Sequence, residues 1–458
     1  MLPEGFLRRM ERTLGADYPA FLQTLARPRA VGLRLNTLKV SADFAARLPF
    51  GFAAGGFLPF TEGLPEQMRR SFDHAAGLIA VPWAENGYYY NPETRPGLHP
   101  FHEAGAYYLQ EPSAMLPAEL LDVRPGMRVL DLCAAPGGKT TQIAAKMQGR
   151  GLLIANEIHP QRARILARNV ERCAVANAIV LNEHPEKLAK RFAGFFDRIL
   201  VDAPCSGEGM FKKEDAAAAD WSEEAVSACA RRQTEILRSA VTMLAPNGRL
   251  VYSTCTFSEE ENERVAENLC RESGVTLLRM ERVLPQERVG EGQFAAVLEK
   301  TDGETTDFAT KKPTANDAEK AAAAFAKENG LALPQGRLVP FGENVWCAPD
   351  VPVELAGLNV LRCGLELGAA KKGVFTPAHA WALWLNDAPQ KADFAADGAE
   401  IAAFLRGETL PGSARGWTLI TADGLSLGWA KGSDGILKNH YPKGLRRIAA
   451  QNGRGQSL

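Results

Sequence analysis

Two cysteines are placed where the sequence could do chemistry. Cys205 lies in DAPCSGEGMF (202–211), directly behind the apolar run 195–201 and its closing carboxylate, Asp202. A short apolar run followed by Asp, Pro, Cys and glycines reads as a buried strand that stops abruptly and opens into a loop. Cys255 lies in GRLVYSTCTF (248–257), again directly behind a strand-like run. Both thiols therefore stand at strand ends, where loops carry function. A free thiol is mostly protonated at neutral pH, its ordinary pKa being about 8.5, so a reacting one needs a nearby base or charge. Two thiols and a carboxylate suit methylation at carbon 5 of a pyrimidine, because that carbon is not nucleophilic until carbon 6 has been attacked. A thiolate at carbon 6 creates the enamine and a carboxylate near ring nitrogen 3 stabilises it. Release then needs loss of the carbon 5 proton and expulsion of the sulfur. The residues alone do not say which thiol attacks.

A methyl donor requires a second site, and VLDLCAAPGGKTT (129–141) is placed to form it. It follows a strand and opens a helix, so its glycines let the backbone approach a ligand at the helix N-terminus. A P-loop needs Gly where Cys133 stands, and the dinucleotide pattern GxGxxG is absent. Glu157 follows about 20 residues later, where a carboxylate can take ribose hydroxyls. With no triphosphate cradle, the nucleoside ligand expected is S-adenosylmethionine. A methyltransferase acting on an amine would need no thiol and would more naturally carry Asp or Asn, Pro, Pro and an aromatic in place of DAPC. Cys173, Cys229 and Cys270 fall in helical segments and are expected in the core.

These residues need a frame that brings strand ends together. From Met127 the chain alternates strand-like segments (Met127 to Leu132, Leu152 to Ala155, Ala178 to Leu181, Phe195 to Val201, Arg249 to Tyr252) with helical ones (Thr140 to Met147, Pro160 to Cys173, Glu223 to Leu244). Ser258 with Glu261 suggests a capping box for the next helix. Such alternation predicts a doubly wound α/β parallel sheet with ligand sites at the strand ends.

The chain has 458 residues, enough for two to four domains, with 46% apolar and 23% charged residues and a formal net charge of -1. Binding to nucleic acid must then come from local patches. The segment MLPEGFLRRMERTLG lacks the apolar core of a signal peptide, and no later stretch offers the roughly 18 apolar residues needed to span a bilayer, so a soluble cytosolic protein is expected. Eight cysteines without a CxxC pair argue for reduced thiols, with neither disulfides nor a metal site. The N-terminal region (1–100) is helical and then strand-like, RAVGLRLNTLKVS reading as a half-exposed strand whose Arg34 and Lys39 could meet phosphate. Trp83, Tyr88, Tyr89, Tyr90, Phe101, Tyr107 and Tyr108 are aromatic anchors that could also stack on bases. Thr301 to about Glu328, with Lys-Lys-Pro in its middle, looks like a linker running into an exposed helix. Near the C-terminus Lys431, Lys438, Lys443, Arg446, Arg447 and Arg454 stand against a lone Asp434, a local basic patch.

CAAPGGKTT (133–141), NEIHPQRA (156–163), DAPCSGEGMF (202–211) and STCTFSEEENE (253–263), in this order, resemble the motif set of the Nop/Sun family of RNA cytosine-5 methyltransferases. AGAYYLQEPSAM (104–115), EGQFAAVLEK (291–300) and RLNTLK (34–39) are similar to further elements of that family, and the C-terminal segments resemble its bacterial RsmF type. The resemblance implies a Rossmann-like methyltransferase domain (101–300) behind an N-terminal α+β extension (1–100). After it would come a linker and helix (301–330), an intermediate region (331–380) and a PUA-like RNA-binding α+β domain (381–458). It implies that Cys255 attacks carbon 6, that Cys205 assists release of the methylated base, and that Asp202 contacts the ring. Cys133, Ala134, Ala135, Pro136, Gly137, Gly138, Lys139, Glu157, Arg162 and Asn182, with Asp202, would line the S-adenosylmethionine site. The partner implied is RNA, 16S rRNA or the small ribosomal subunit, with a cytosine turned out of its stack. Transfer RNA is the rival substrate. A non-catalytic ribosome-assembly factor is the rival of another class.

Overall fold

The alternation that begins at residue 127 folds into one eight-stranded sheet. In a computed structural model, which describes residues 2–53, 61, 77–213, 215–308 and 317–447, its strands are β1 (Arg128–Asp131), β2 (Leu152–Asn156), β3 (Ala178–Leu181), β4 (Phe196–Asp202), β5 (Leu244–Thr254), β6 (Val275–Val283), β7 (Gln293–Lys300) and β8 (Val360–Cys363). They lie in the order β6-β7-β5-β4-β1-β2-β3-β8. The first five run parallel; β7, β6 and β8 pair antiparallel at the two edges. Helices α1 (Gly138–Met147), α2 (Pro160–Arg172), α3 (Pro185–Arg191), α4 (Glu223–Met243) and α5 (Glu263–Ser273) cover the sheet.

Successive residues of a strand point to opposite faces, and both faces here are buried, which is why the strands read as continuous apolar runs. Ile199 and Val201 of β4 pack with Leu237, Leu188 and Leu269 of α4, α3 and α5. Leu200 between them packs with Ile143 of α1 and Leu166 of α2. Strand order reverses between β1 and β4, and at such a switch point the loops leaving the strands part to form a crevice.

Around this sheet the structure departs from several expectations. No capping box forms at Ser258 and Glu261: α5 begins at Glu263, its N-cap Asn262 makes no side-chain cap, and Glu261 is turned inward. The strand expected to be half-exposed is only Gly32–Leu35, and all four residues are buried. The Arg34 guanidinium donates to Gln110, to the Gly138 carbonyl and to Thr141, so it braces α1 instead of facing phosphate. Lys39 donates to Ser426 at 2.7 Å and to the Leu383 carbonyl, and burial lowers its ammonium to about 7. Two of the aromatics are clear anchors: Tyr89 and Tyr107 are fully buried and donate to the carbonyls of Val289 and Pro96.

The helix after the charged segment, Asp317–Glu328, is not exposed all round. It buries Ala322, Phe325 and Ala326 beside Phe375 and Trp381. Lys-Lys-Pro (311–313) and Arg454 lie outside the described residues. Three further sheets lie among the described residues: strands 32–35, 79–80, 87–89 and 107–109 form one, 337–341, 344–348, 365–371 and 374–377 another, and 391–394, 410–411, 416–422, 425–433 and 436–439 the last. Strand β8 leaves the middle of this C-terminal stretch to extend the main sheet beside β3.

Candidate functional site

The glycine-rich loop leaves β1 at Asp131 and turns into α1. Gly137 sits at φ +114° before the helix, a conformation that L side chains rarely adopt. Thr140 donates to the Asp131 carboxylate at 2.6 Å, and burial raises that carboxyl to about 7. Arg162 donates to the Ala135 carbonyl at 2.9 Å, Asn169 to that of Pro136 at 2.8 Å, and the Ala134 amide to Asn156 at 2.8 Å. Burial raises the Cys133 thiol strongly, which keeps it protonated. Glu157, directly behind β2, is 3% exposed and accepts from the His159 amide at 2.9 Å. Asn182 stands behind it: its amide donates to the carbonyls of Glu157 and Ile158 at 2.7 and 2.8 Å, so it shapes the acidic turn and is not among the residues lining the cleft. Lys139 donates to Asp202 at 2.7 Å. Burial opposes its charge, but Asp202 outweighs that and holds the ammonium above its ordinary range.

The thiols meet because their strands are neighbours. β4 and β5 pair in parallel with Asp202 opposite Ser253, so the loops that leave them run side by side. Sγ of Cys205 and Sγ of Cys255 are 3.4 Å apart. The contact with the Cys255 sulfur, then burial, then the charges of Cys255 and Glu261 raise the Cys205 thiol. Asp202 accepts from Ser253 at 2.7 Å and from Gln293 at 3.3 Å besides Lys139. The loop closes over Gly209, whose amide donates to the Cys255 carbonyl at 2.8 Å. A Cβ there would lie 2.7 Å from that oxygen, well inside contact distance.

Four supports escape a reading of the sequence. Glu208, 2% exposed, accepts from the Phe257 amide at 2.9 Å and from Trp221 at 3.0 Å, and it pairs with Arg9 of the N-terminal helix Glu4–Leu14. Phe6 of the same helix packs edge-on to Phe211 at 5.0 Å. Glu261 is fully buried behind Cys205. Gln293 reaches Asp202 from β7. The one local signal was the acidic run 259–261 directly behind the second cysteine. Cys229 corrects the expectation of a core thiol: it is half-buried and lines the cleft from α4. Cys173 is buried as expected, and Cys270 only partly.

One cleft of about 1210 Å³ joins the two halves. Cys133, Ala135, Glu157 and Arg162 line one end, and Asp202, Cys205 and Cys255 the other. A buried carboxylate beside a glycine turn, with the only lysine of the loop already paired, fits a nucleoside that carries no phosphate. S-adenosylmethionine is such a ligand.

Residues 118–311 match the model of the 16S rRNA methyltransferase RsmB/F family. Residues 2–57 and 61–112 match the N-terminal domain of 16S rRNA methyltransferase RsmF, 324–385 its first C-terminal domain, and 391–447 the methyltransferase RsmF PUA domain. Ribosomal RNA small subunit methyltransferase F of Aeromonas salmonicida is 31% identical over 97% of both chains. The chain belongs to the ribosomal RNA small subunit methyltransferase F family. The Klebsiella pneumoniae member of that family is 32% identical over 97% of this chain and 96% of its own. Among solved structures, a methyltransferase homologue from Pyrococcus horikoshii is 26% identical, with a TM-score of 0.53 over 65% of this chain and 95% of that one. NSun6 from the same organism, solved with SFG, shares the fold, with a TM-score of 0.54 and 21% identity over 66% of this chain and 99% of that one. As a member of the methyltransferase F family the chain is an S-adenosylmethionine-dependent methyltransferase built on a Rossmann-like sheet.

Proposed function

We propose that the protein methylates carbon 5 of a cytosine in 16S rRNA through a covalent bond between Cys255 and carbon 6. The observation that carries this is the 3.4 Å approach of the two sulfurs beside Asp202, in a cleft that also opens onto the cofactor loop. Of the residues the resemblance assigned to the cofactor, Cys133, Ala135, Glu157 and Arg162 line the cleft, Ala134, Pro136, Gly137 and Gly138 shape its loop, and Asn182 and Lys139 act one layer behind. S-adenosylmethionine, when bound, supplies an electrophilic methyl group. Attack by the Cys255 sulfur forms the bond to carbon 6 and makes carbon 5 electron-rich. Asp202, fixed by Lys139, Ser253 and Gln293, faces the ring nitrogen 3 edge and relays to that nitrogen, from solvent, the proton that quenches the charge formed there and leaves a neutral enamine. Once carbon 5 bears the methyl, its proton must leave and the carbon–sulfur bond must break, the electron pair returning to Cys255. Cys205 is the base within reach, once its own proton has passed to solvent.

Turning a cytosine out of its stack costs a few kcal/mol, and contacts to phosphate help offset it. The PUA-type domain is the source proposed here. Lys431, Lys438 and Lys443 of the basic patch are exposed, and the first two face each other across adjoining strands. Arg447 is instead paired with Glu103. Bisulfite sequencing of RNA from cells lacking the protein is expected to show one or more 16S cytosines losing protection. An unchanged 16S pattern with a loss in transfer RNA would overturn the substrate and leave the chemistry.

A further inference from the structure

A buried carboxylate is costly unless it is paired or hydrogen-bonded, and among the described residues no lysine or arginine is bonded to the fully buried Glu261. Its oxygens accept from both the amide and the hydroxyl of Ser206 and from the Gln233 amide at 2.9 Å. Gln233 also donates to the Pro204 carbonyl at 3.0 Å. Pro204 and Ser206 are the two residues that flank Cys205. The Ser206 hydroxyl lies 2.9 Å from that of Thr256, the residue after Cys255. One carboxylate thus pins both neighbours of the first cysteine and, through one hydroxyl, a neighbour of the second. The Glu261 backbone carbonyl, accepting from Tyr252, ties the same residue to β5.

We propose that Glu261 is a positioning residue that holds the Cys205 loop in register with Cys255, so that its loss slows release of the methylated base more than the initial attack. The proposal rests on the two-cysteine chemistry given above. Attack needs only Cys255, which leaves β5 directly, whereas release needs Cys205 brought to the adduct by a loop that Glu261 anchors. Burial, the largest influence, raises the Glu261 carboxyl against the hydrogen bonds that lower it.

The test uses the full chain with unmodified 16S rRNA and S-adenosylmethionine, following covalent protein–RNA adduct and methylated product separately. In Glu261→Gln the release step is expected to slow about tenfold, about 1.4 kcal/mol in barrier, so adduct accumulates while its first formation changes less than about threefold. Ser206→Ala, which removes only the bridging hydroxyl, should shift the same ratio less and serves where Glu261→Gln does not fold. Adduct formation and turnover falling together, or an unchanged ratio in both variants, would overturn the positioning role. Cys205→Ala is the reference: no adduct there would overturn the two-cysteine chemistry itself, whereas adduct there and none in the other two overturns only the part assigned to Glu261.

Discussion

The cofactor end of the cleft draws Cys133, Ala135, Glu157 and Arg162 from consecutive β-α-β elements, β1 to α2, and most of its hydrogen bonds close within that stretch. The thiol end draws Cys205 from β4, Cys255 and Glu261 from beyond β5 and Gln293 from β7, and its brace Arg9 comes from the start of the chain. A ligand held by one supersecondary unit can be read from local spacing. Two thiols that must act on one base from different loops need anchoring from several elements at once.

Breaking the cofactor end should leave the thiol end intact. Glu157→Ala is expected to weaken S-adenosylmethionine binding by about tenfold or more, the loss of a charge-assisted hydrogen bond, with RNA affinity unchanged, as titration calorimetry and RNA binding would measure. Equal losses in both would mean that the two ends are not separable. None of the patch lysines lines the cleft, so their effect is smaller and of a different kind. Lys438→Glu with Lys443→Glu should weaken RNA binding several-fold and reduce its salt dependence by roughly one to two counterions. Cofactor affinity should not move. An unaltered salt slope would remove these lysines from the RNA path.

The same contrast governs what the sequence made legible. The apolar runs 195–201 and 249–252 marked the strand ends, because strands buried on both faces advertise themselves, and Cys205 and Cys255 behind them followed. Glu261 was misplaced in a capping box because Ser-x-x-Glu is a local pattern, while its partners Ser206 and Gln233 lie on other elements. Arg34 was read as exposed because alternation along a strand cannot show that Gly138 and Thr141 await its guanidinium. Strand β8 carried no local sign that residues 360–363 return to the sheet beside β3. Cys229 has a helical pattern like that of a core residue, and only the opening of the cleft beside α4 separates it from Cys173. The order of the two thiols was not legible from residues at all and came from the resemblance.

The central claim is that Cys255 bonds to the base and Cys205 frees it. Denaturing electrophoresis of Cys205→Ala after incubation with unmodified 16S rRNA and S-adenosylmethionine tests it directly. A protein band shifted by RNA is expected, absent when Cys255→Ala is added to the same chain. A shifted band that survives Cys255→Ala, or none with Cys205→Ala while the methyl group is still transferred, would contradict it.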